Sequence, residues 1–272
     1  MKKQVELNAV VSQRIDVAPG LMVLSVAPVG WALPPFQPGQ FTVIGLPASA
    51  PRTPLSEPDP PDADPDRFIR RAYSIASPSL PGAHLEFFIT LVRSGELTPR
   101  LFELQTGSRL WIGPKCTGMF TLAEVPREKR LVFIGTGTGL APYMSMLRTG
   151  LAADPGRKVA VLIGARHSWD IGYQAELHMM ARLSPGFTFL PTVSRPSEEP
   201  TPWGGATGHV QALWSGGALE KAWGDKPTPE DTHVFLCGAP AMIDDMTALL
   251  KAQGFALHEK GAPGQIHVEK YW

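Results

Sequence analysis

A strand, a glycine-rich turn and a helix follow one another near the middle of the chain, and this succession limits its fold most strongly. The apolar run Leu131–Ile134 is typical of a strand that is buried on both faces, as in parallel sheets. It leads into Gly135-Thr136-Gly137-Thr138-Gly139, after which Leu140–Leu147 has helical spacing of apolar residues. Glycines at such a turn allow a phosphate to approach backbone N–H groups at a helix N-terminus, where the helix dipole also favours an anion.

The turn matches neither of two common phosphate-binding motifs in full. Its sixth position is Leu140, whereas the dinucleotide fingerprint GxGxxG has glycine there, and it lacks the Lys-Ser/Thr pair of a P-loop. A tight strand-to-helix turn without a ligand therefore stays open as an alternative to a pyrophosphate site.

Buried strands and helices alternate through the rest of the C-terminal half. This alternation predicts βαβ units and a parallel sheet, hence an α/β domain over residues 126–272. The further strands expected are Val159–Ile163, Phe187–Leu190 and Val234–Leu236, and the further helices are Tyr173–Leu183, Gln211–Leu213 and Ala241–Gln253.

The first 125 residues have a different pattern, with short extended segments that are broken by Pro and Gly. Such spacing, with almost no helical periodicity between the segments, predicts an antiparallel barrel or sandwich. We therefore expect a two-domain chain, with a β-barrel over residues 1–125 joined to the α/β domain near Pro126–Arg130. The expected strands are Val5–Arg14, Leu21–Ala27, Gln40–Gly45, Ala72–Ser77, Leu85–Val92 and Leu110–Ile112.

A proline-rich acidic segment interrupts the barrel domain. Residues 47–66 contain seven prolines and five acidic residues, which predicts a long solvated loop. Because long surface insertions are well tolerated, we expect this loop to carry no chemistry of its own.

Composition excludes several classes of protein. Lys plus Arg and Asp plus Glu number 25 each, so no net charge attracts the chain to nucleic acid or to an anionic membrane. No run approaches the roughly 18–20 apolar residues of a membrane span, and the N-terminus lacks a secretion signal, so a cytoplasmic protein is expected. Cys116 and Cys237 form no metal-binding ladder and no HExxH motif occurs, so we expect no metal. No GxSxG motif occurs either, so the usual signature of a serine hydrolase is absent.

Arginines follow two of the expected parallel strands. Arg166 comes after the second strand and Arg195, with Ser194 beside it, after the third. An acidic residue at such a position binds the ribose 2′-hydroxyl, whereas an arginine accommodates a 2′-phosphate, so the pair favours NADP over NAD. In the barrel domain, Arg71-Ala72-Tyr73-Ser74 places a cation, a ring and a hydroxyl on one extended segment, and Ser94–Arg100 is a second anion-binding candidate.

Taken in order, these motifs resemble those of the bacterial ferredoxin/flavodoxin–NADP reductase family over nearly the whole chain. The resemblance also draws on Cys237–Met242 and on the terminal Val268-Glu269-Lys270-Tyr271-Trp272. It implies hydride transfer between NADPH and N5 of a bound FAD, followed by one-electron steps to ferredoxin or flavodoxin. A monomer that binds neither nucleic acid nor membrane is expected.

The family's roles can be carried over residue by residue. Arg71 would pair with the FAD pyrophosphate, Tyr73 would pack on the flavin and ribityl region, and Ser74 would hydrogen-bond near N5. Tyr271 would stack on the isoalloxazine where the nicotinamide must land, and Trp272 would cover the FAD adenine. The other residues implied for FAD are Ala72, Phe88, Ile89, Thr90, Gly95, Leu97 and Thr98.

For NADP, the resemblance implies a pyrophosphate site at the glycine turn and a 2′-phosphate site at the two arginines. Cys237 would help Ser74 to position the nicotinamide, and Glu269 would tune proton supply. One departure from the family is His209, which stands where many bacterial relatives have a third arginine, so the NADP preference is expected to be weaker or to depend on pH near neutrality. The residues implied for NADP are Gly135, Thr136, Gly137, Arg166, Ser194, Arg195, Gly238 and Pro240.

Two other classes stay open at this stage. The chain could be a stand-alone NAD(P)H:flavin reductase or the reductase component of an oxygenase, since these enzymes share the architecture. It could also be a binding module without enzymatic activity. FAD that remains bound on purification would reject the binding module, whereas flavin lost freely on gel filtration would favour the flavin reductase.

Overall fold

Two six-stranded sheets form the framework of the computed structural model, which describes residues 5–80, 82 and 84–270. They lie in two compact units, residues 1–121 and 122–272, each with its own hydrophobic core. The first sheet is antiparallel throughout and the second is parallel throughout. The expected fold class, an antiparallel domain followed by an α/β domain, is confirmed.

The N-terminal unit is built from a sheet with the strand order β4-β3-β6-β1-β2-β5. Beyond the end of β4, the Ala76 N–H donates to the Glu86 carbonyl of β5 at 2.8 Å, so the two edge strands of the sheet are linked and the sheet is barrel-like. Its elements are β1 (Ala9–Ala18), β2 (Leu21–Pro28), β3 (Phe41–Pro47), β4 (Phe68–Ser74), β5 (Leu85–Thr90), α1 (Thr98–Leu101) and β6 (Arg109–Ile112).

The segment between β3 and β4 contains neither helix nor strand, so the predicted long loop is confirmed. It is nevertheless held on the barrel, which the sequence did not predict. The Thr53 N–H donates to the Pro99 carbonyl and the Glu57 N–H to the Arg93 carbonyl, both at 3.0 Å. These bonds place the loop against the residues around α1.

Arg100 is the central anchor of this loop. Its side chain is 2% exposed, and its Nε donates to the Ala48 carbonyl at 3.1 Å. The guanidinium also forms an ion pair with Asp59, and the hydrogen bond from Arg100 is the main reason that the pKa of Asp59 is lowered. Because the charge of Arg100 is buried, Asp59 supplies the partner that such a charge requires.

The C-terminal unit has the strand order β10-β9-β8-β7-β11-β12. The chain runs from β7 to one side of the sheet and then returns to place β11 on the other side, so the switch point of the sheet lies between β7 and β11. Its elements are β7 (Arg130–Thr136), α2 (Ala141–Gly150), β8 (Val159–Ala165), α3 (Gln174–Leu183), β9 (Phe187–Val193), β10 (Ala206–Thr207), α4 (Val210–Ser215), α5 (Ala218–Trp223), β11 (Thr232–Gly238), α6 (Pro240–Ala252) and β12 (Ile266–Lys270).

Helices cover both faces of this sheet, which explains the continuous apolar runs of its strands. Val132 and Ile134 of β7 pack in a core with residues of α4 and α6. On the opposite face, Tyr143 of α2 stacks on Phe133 with ring centroids 4.9 Å apart. Within the described residues, no helix is both long and apolar enough to cross a membrane.

A pair of histidines lies near the amino ends of β11 and β12. His233 Nδ1 and His267 Nε2 are 2.9 Å apart, and the His267 ring stacks on Phe235 with centroids 4.2 Å apart. Burial lowers the pKa of His233 to about 4 and that of His267 to about 3. The folded protein therefore keeps both imidazoles neutral at neutral pH.

Candidate functional site

The glycine turn lies at the switch point of the parallel sheet. After β7 ends at Thr136, a single 3-10 turn over Gly137–Leu140 leads directly into α2, which has Pro142 in its first turn. Gly137 has φ +54°, a left-handed conformation that favours glycine, and a Cβ at this position would meet no atom within 4 Å. Open space above Gly137 is compatible with the approach of a phosphate to the backbone.

The loop after β11 packs tightly against this turn. A Cβ on Gly139 would lie 2.2 Å from the Cys237 carbonyl oxygen, and one on Gly238 would lie 2.3 Å from Thr136 Oγ1. The Ala239 N–H also donates to Thr136 Oγ1 at 2.9 Å. Gly139 and Gly238 are therefore required by contact between the two loops, whereas the sequence suggested that glycines of the turn make room for a ligand.

Cys237 and Glu269 are neighbours across β11 and β12. They are paired in the register of the two parallel strands, and Cys237 Sγ lies 3.9 Å from Glu269 Oε2. Cys237 is fully buried, and Tyr143 nearby donates from its hydroxyl to the Ile134 carbonyl at 2.8 Å. A thiol and a carboxyl group thus lie next to each other beside the switch point.

The two predicted arginines lie side by side at the carboxyl edge of the sheet. Arg166 follows the last residue of β8, and the Arg195 N–H donates to the Arg166 carbonyl at 3.0 Å. The Gly208 N–H donates to the Val193 carbonyl at 2.8 Å, which places His209 beyond the end of the next strand, β10. Adjacent strands therefore supply Arg166, Arg195 and His209 to one edge.

Carboxylates lie beside Arg195 and beside His167, the residue after Arg166, and the sequence analysis missed them. His167 lies 2.8 Å from Glu198 and 3.0 Å from Asp170, and the hydrogen bond to Glu198 is the main reason that the pKa of His167 is raised. Glu199 accepts from the Ser168 N–H at 2.7 Å. The sequence signal was the pair Glu198-Glu199 only three residues after Arg195.

In the N-terminal unit, the predicted FAD-binding motif lies at the end of the edge strand β4. Arg71 is exposed and its Nη2 lies 2.5 Å from Glu96 Oε2, while Arg67 forms a second ion pair with the same carboxylate. Tyr73 packs edge-on against Phe87, and burial raises its pKa. A cation, a ring and a hydroxyl are therefore present on one strand, and their role in binding FAD stays a prediction.

The other predicted FAD-binding residues differ in their environment. Ile89 and Leu97 belong to the barrel core, so only their backbone could reach a cofactor. The Thr98 hydroxyl is bonded to the Val92 backbone, accepting from its N–H at 3.0 Å and donating to its carbonyl at 3.2 Å. Phe88 and Ser74 are buried, and Ala72 and Thr90 are exposed.

Tyr271 and Trp272, to which the resemblance gives stacking roles, lie outside the described residues, so these roles stay predictions. The segment before them, for which the sequence analysis predicted no strand, is the strand β12. Among residues 5–80, 82 and 84–270, no three His, Cys, Asp or Glu side chains are grouped so that they could hold a metal ion.

A glycine turn at the switch point of a parallel sheet, with arginines at the neighbouring strand ends, is typical of a nucleotide-binding domain. In agreement, the family model described as an oxidoreductase NAD-binding domain matches residues 133–248. The chain is 33% identical over 240 residues to a flavodoxin/ferredoxin–NADP reductase of Shigella flexneri, with 88% of each chain covered. It therefore belongs to the flavodoxin/ferredoxin–NADP reductase family.

Two further relatives support this assignment. A ferredoxin–NADP reductase of Azotobacter vinelandii is 31% identical over 245 residues, with 86% of each chain covered. A crystal structure of a ferredoxin NADP+ reductase from Neisseria gonorrhoeae, with bound FAD and NADP, has the same fold. It superposes with a TM-score of 0.80 at 24% identity, covering 97% of this chain and 98% of the other.

Proposed function

We propose that the chain uses bound FAD to transfer electrons between NADPH and a small one-electron carrier, ferredoxin or flavodoxin. The observation that carries the proposal is the placement of Arg166 and Arg195 at adjacent strand ends, in the same unit as the glycine turn at the switch point. Family membership adds the reaction, since the most similar relatives named above are reductases of this type.

The N-terminal unit would hold FAD through the end of β4. Arg71 supplies a guanidinium for the pyrophosphate, to which it is available once it leaves Glu96, and Tyr73 supplies a ring surface. Ser74 supplies a hydroxyl near the reactive part of the flavin. When bound, FAD exchanges a hydride with the nicotinamide and single electrons with the protein carrier.

The C-terminal unit would hold NADP(H) along the carboxyl edge of its sheet. Backbone N–H groups of the turn over Gly137–Leu140 would bind the pyrophosphate, and Arg166 and Arg195 would bind the 2′-phosphate. Cys237 would position the nicotinamide through its backbone, since its side chain is fully buried. Glu269, which lies beside the Cys237 thiol, would hold a proton at its carboxyl group and supply it during turnover.

Comparison of electron acceptors tests the proposed reaction. Purified protein is given NADPH with ferredoxin, flavodoxin or free flavin, and NADPH oxidation is followed by absorbance. The proposal predicts that kcat/KM is highest with one of the two protein carriers. Highest turnover with free flavin would instead identify a flavin reductase, and absence of bound FAD after purification would reject the proposed chemistry.

The nucleotide site is tested with Arg166→Ala. Loss of a charge-assisted contact costs about 1.5–3 kcal/mol, so NADPH affinity should fall roughly tenfold to a hundredfold while NADH turnover stays nearly the same. Arg182→Ala is the matched control, since Arg182 is an exposed arginine in the last turn of α3, ahead of β9. An equal loss for NADPH and NADH in Arg166→Ala would contradict the assignment.

A further inference from the structure

One carboxylate lies between Arg195 of the predicted 2′-phosphate site and the neighbouring His167. Glu198 Oε1 is 3.5 Å from Arg195 Nη1, and Glu198 Oε2 is 2.8 Å from His167 Nε2. His167 and Arg195 belong to the segments that follow β8 and β9. A single negative charge is thus shared between the ends of two neighbouring strands.

Local structure holds this carboxylate in place. Residues Pro196–Glu198 form a 3-10 turn in which the Glu198 N–H donates to the Arg195 carbonyl at 3.1 Å. The next residue, Glu199, is bonded to both the N–H and the hydroxyl of Ser168, at 2.7 and 2.6 Å. The loop after β9 is therefore tied to the loop after β8 on both sides of Glu198.

The two arginines of the site consequently differ. The Arg166 side chain is exposed and forms no ion pair with any described residue, whereas Arg195 already has an anionic partner. A 2′-phosphate carries a charge of about −1.5 to −2, so it must displace Glu198 from Arg195 and then remain close to a like charge. A ribose 2′-hydroxyl meets no such conflict, because it can donate a hydrogen bond to a carboxylate.

We propose that Glu198 is a specificity-determining residue that lowers the preference of this site for 2′-phosphorylated nucleotides, so that the chain accepts both NADPH and NADH. The inference rests on the proposed function, since it concerns the same nucleotide site. It goes beyond that function because it names a residue that opposes the two arginines.

Binding of two small nucleotides tests the inference without reference to turnover. Isothermal titration calorimetry on the full chain, purified with FAD, measures the Kd of adenosine 2′,5′-bisphosphate and of 5′-AMP. In Glu198→Gln, the Kd of the bisphosphate should fall about two- to fivefold, the range that an exposed ion pair supplies. The Kd of 5′-AMP should stay the same or rise slightly.

Glu199→Gln is the matched control. It removes the same charge at the adjacent position, but Glu199 contacts Ser168 and not Arg195 or His167. In Glu199→Gln, the ratio of the Kd values for the bisphosphate and for 5′-AMP should therefore equal the ratio in the unmodified protein. A second check is Arg195→Gln, in which the added substitution Glu198→Gln should tighten bisphosphate binding less than it does in the unmodified protein, because only the repulsion between Glu198 and the 2′-phosphate is left to remove.

Three results would overturn the inference. An equal gain in Glu198→Gln and Glu199→Gln would show a general charge effect, and weaker bisphosphate binding in Glu198→Gln would show that the carboxylate orients Arg195 productively. If the ratio of the Kd values for the bisphosphate and for 5′-AMP is unchanged in Glu198→Gln, Glu198 does not affect specificity, and the proposed function still stands. Failure of the unmodified protein to bind either nucleotide would overturn both this inference and the proposed function.

Discussion

Substitution of Gly139 by alanine tests the contact between the two loops at the switch point. The new Cβ would lie 2.2 Å from the Cys237 carbonyl oxygen, 2.6 Å from its carbonyl carbon and 2.9 Å from the Gly238 nitrogen. Non-bonded carbon atoms prefer separations of about 3.5–4.0 Å. Because all three atoms are backbone, no side chain can rotate away, and the loops must separate by roughly 1 Å.

The expected cost has two parts. Overpacking of this kind destabilises a protein by about 1–3 kcal/mol. Separation of the loops also weakens the hydrogen bond from the Ala239 N–H to Thr136 Oγ1, which contributes about 0.5–1.5 kcal/mol. Gly139→Ala should therefore lower the free energy of unfolding by about 2–4 kcal/mol, which most domains tolerate without unfolding.

Two measurements check this expectation. Urea unfolding followed by tryptophan fluorescence gives the change in stability, and calorimetry with NADP gives the change in affinity, which should fall at least tenfold because the turn is displaced. Gly150→Ala is the control at the other end of α2, where a Cβ meets nothing within 4 Å and alanine stabilises a helix by up to about 1 kcal/mol. Unchanged stability and NADP affinity in Gly139→Ala would refute the packing argument.

Two further predictions concern stability. Arg100→Met removes the buried partner of Asp59 and should lower the free energy of unfolding by about 1.5–3 kcal/mol, the contribution of hydrogen bonds to charged groups. Proteolysis within residues 48–67 should be faster, and unchanged proteolysis would contradict the anchoring role. Stability should also fall as the pH drops below about 6.5, because the unfolded chain binds protons at His233 and His267 whereas the folded chain, with pKa values of about 4 and 3, does not. Each histidine changes the free energy of unfolding by at most about 1.4 kcal/mol per pH unit. Urea midpoints between pH 8 and pH 5, in the unmodified protein and in His267→Gln, measure this dependence of stability on pH. An equal dependence in the two proteins would contradict the role given to His267.

Local patterns were sufficient to predict the two sheets and most of their strands. Leu131–Ile134 and Val159–Ile163 are buried on both faces, and a run of this kind has few alternatives in a soluble fold. The strand Ile266–Lys270 was missed because its buried and charged residues are mixed, as an edge strand with one neighbour allows. The two-residue strand Ala206–Thr207 and the short helix Ala218–Trp223 were also missed, since neither is long enough for a periodic signal.

The candidate site was predictable where position along the chain determines position in the sheet. Arg166 and Arg195 each follow a parallel strand, so their meeting at one edge follows from topology alone. The direction of a side chain does not follow in this way, so the ion pair that Glu198 forms with Arg195 could be found only in the structure. Nor could the sequence distinguish Gly137, which faces open space, from Gly139, which packs against Cys237.

The proline-rich loop offers a practical opportunity for protein engineering. Its bonds to the barrel come from residues up to Asp59 and from Arg67, which pairs with Glu96 and whose carbonyl accepts from the Ala48 N–H at 2.8 Å at the base of the loop. Between these attachments, most of residues 60–66 are exposed. A fluorophore, an affinity tag or a tethered carrier protein could therefore be inserted there, with both attachments of the loop left intact.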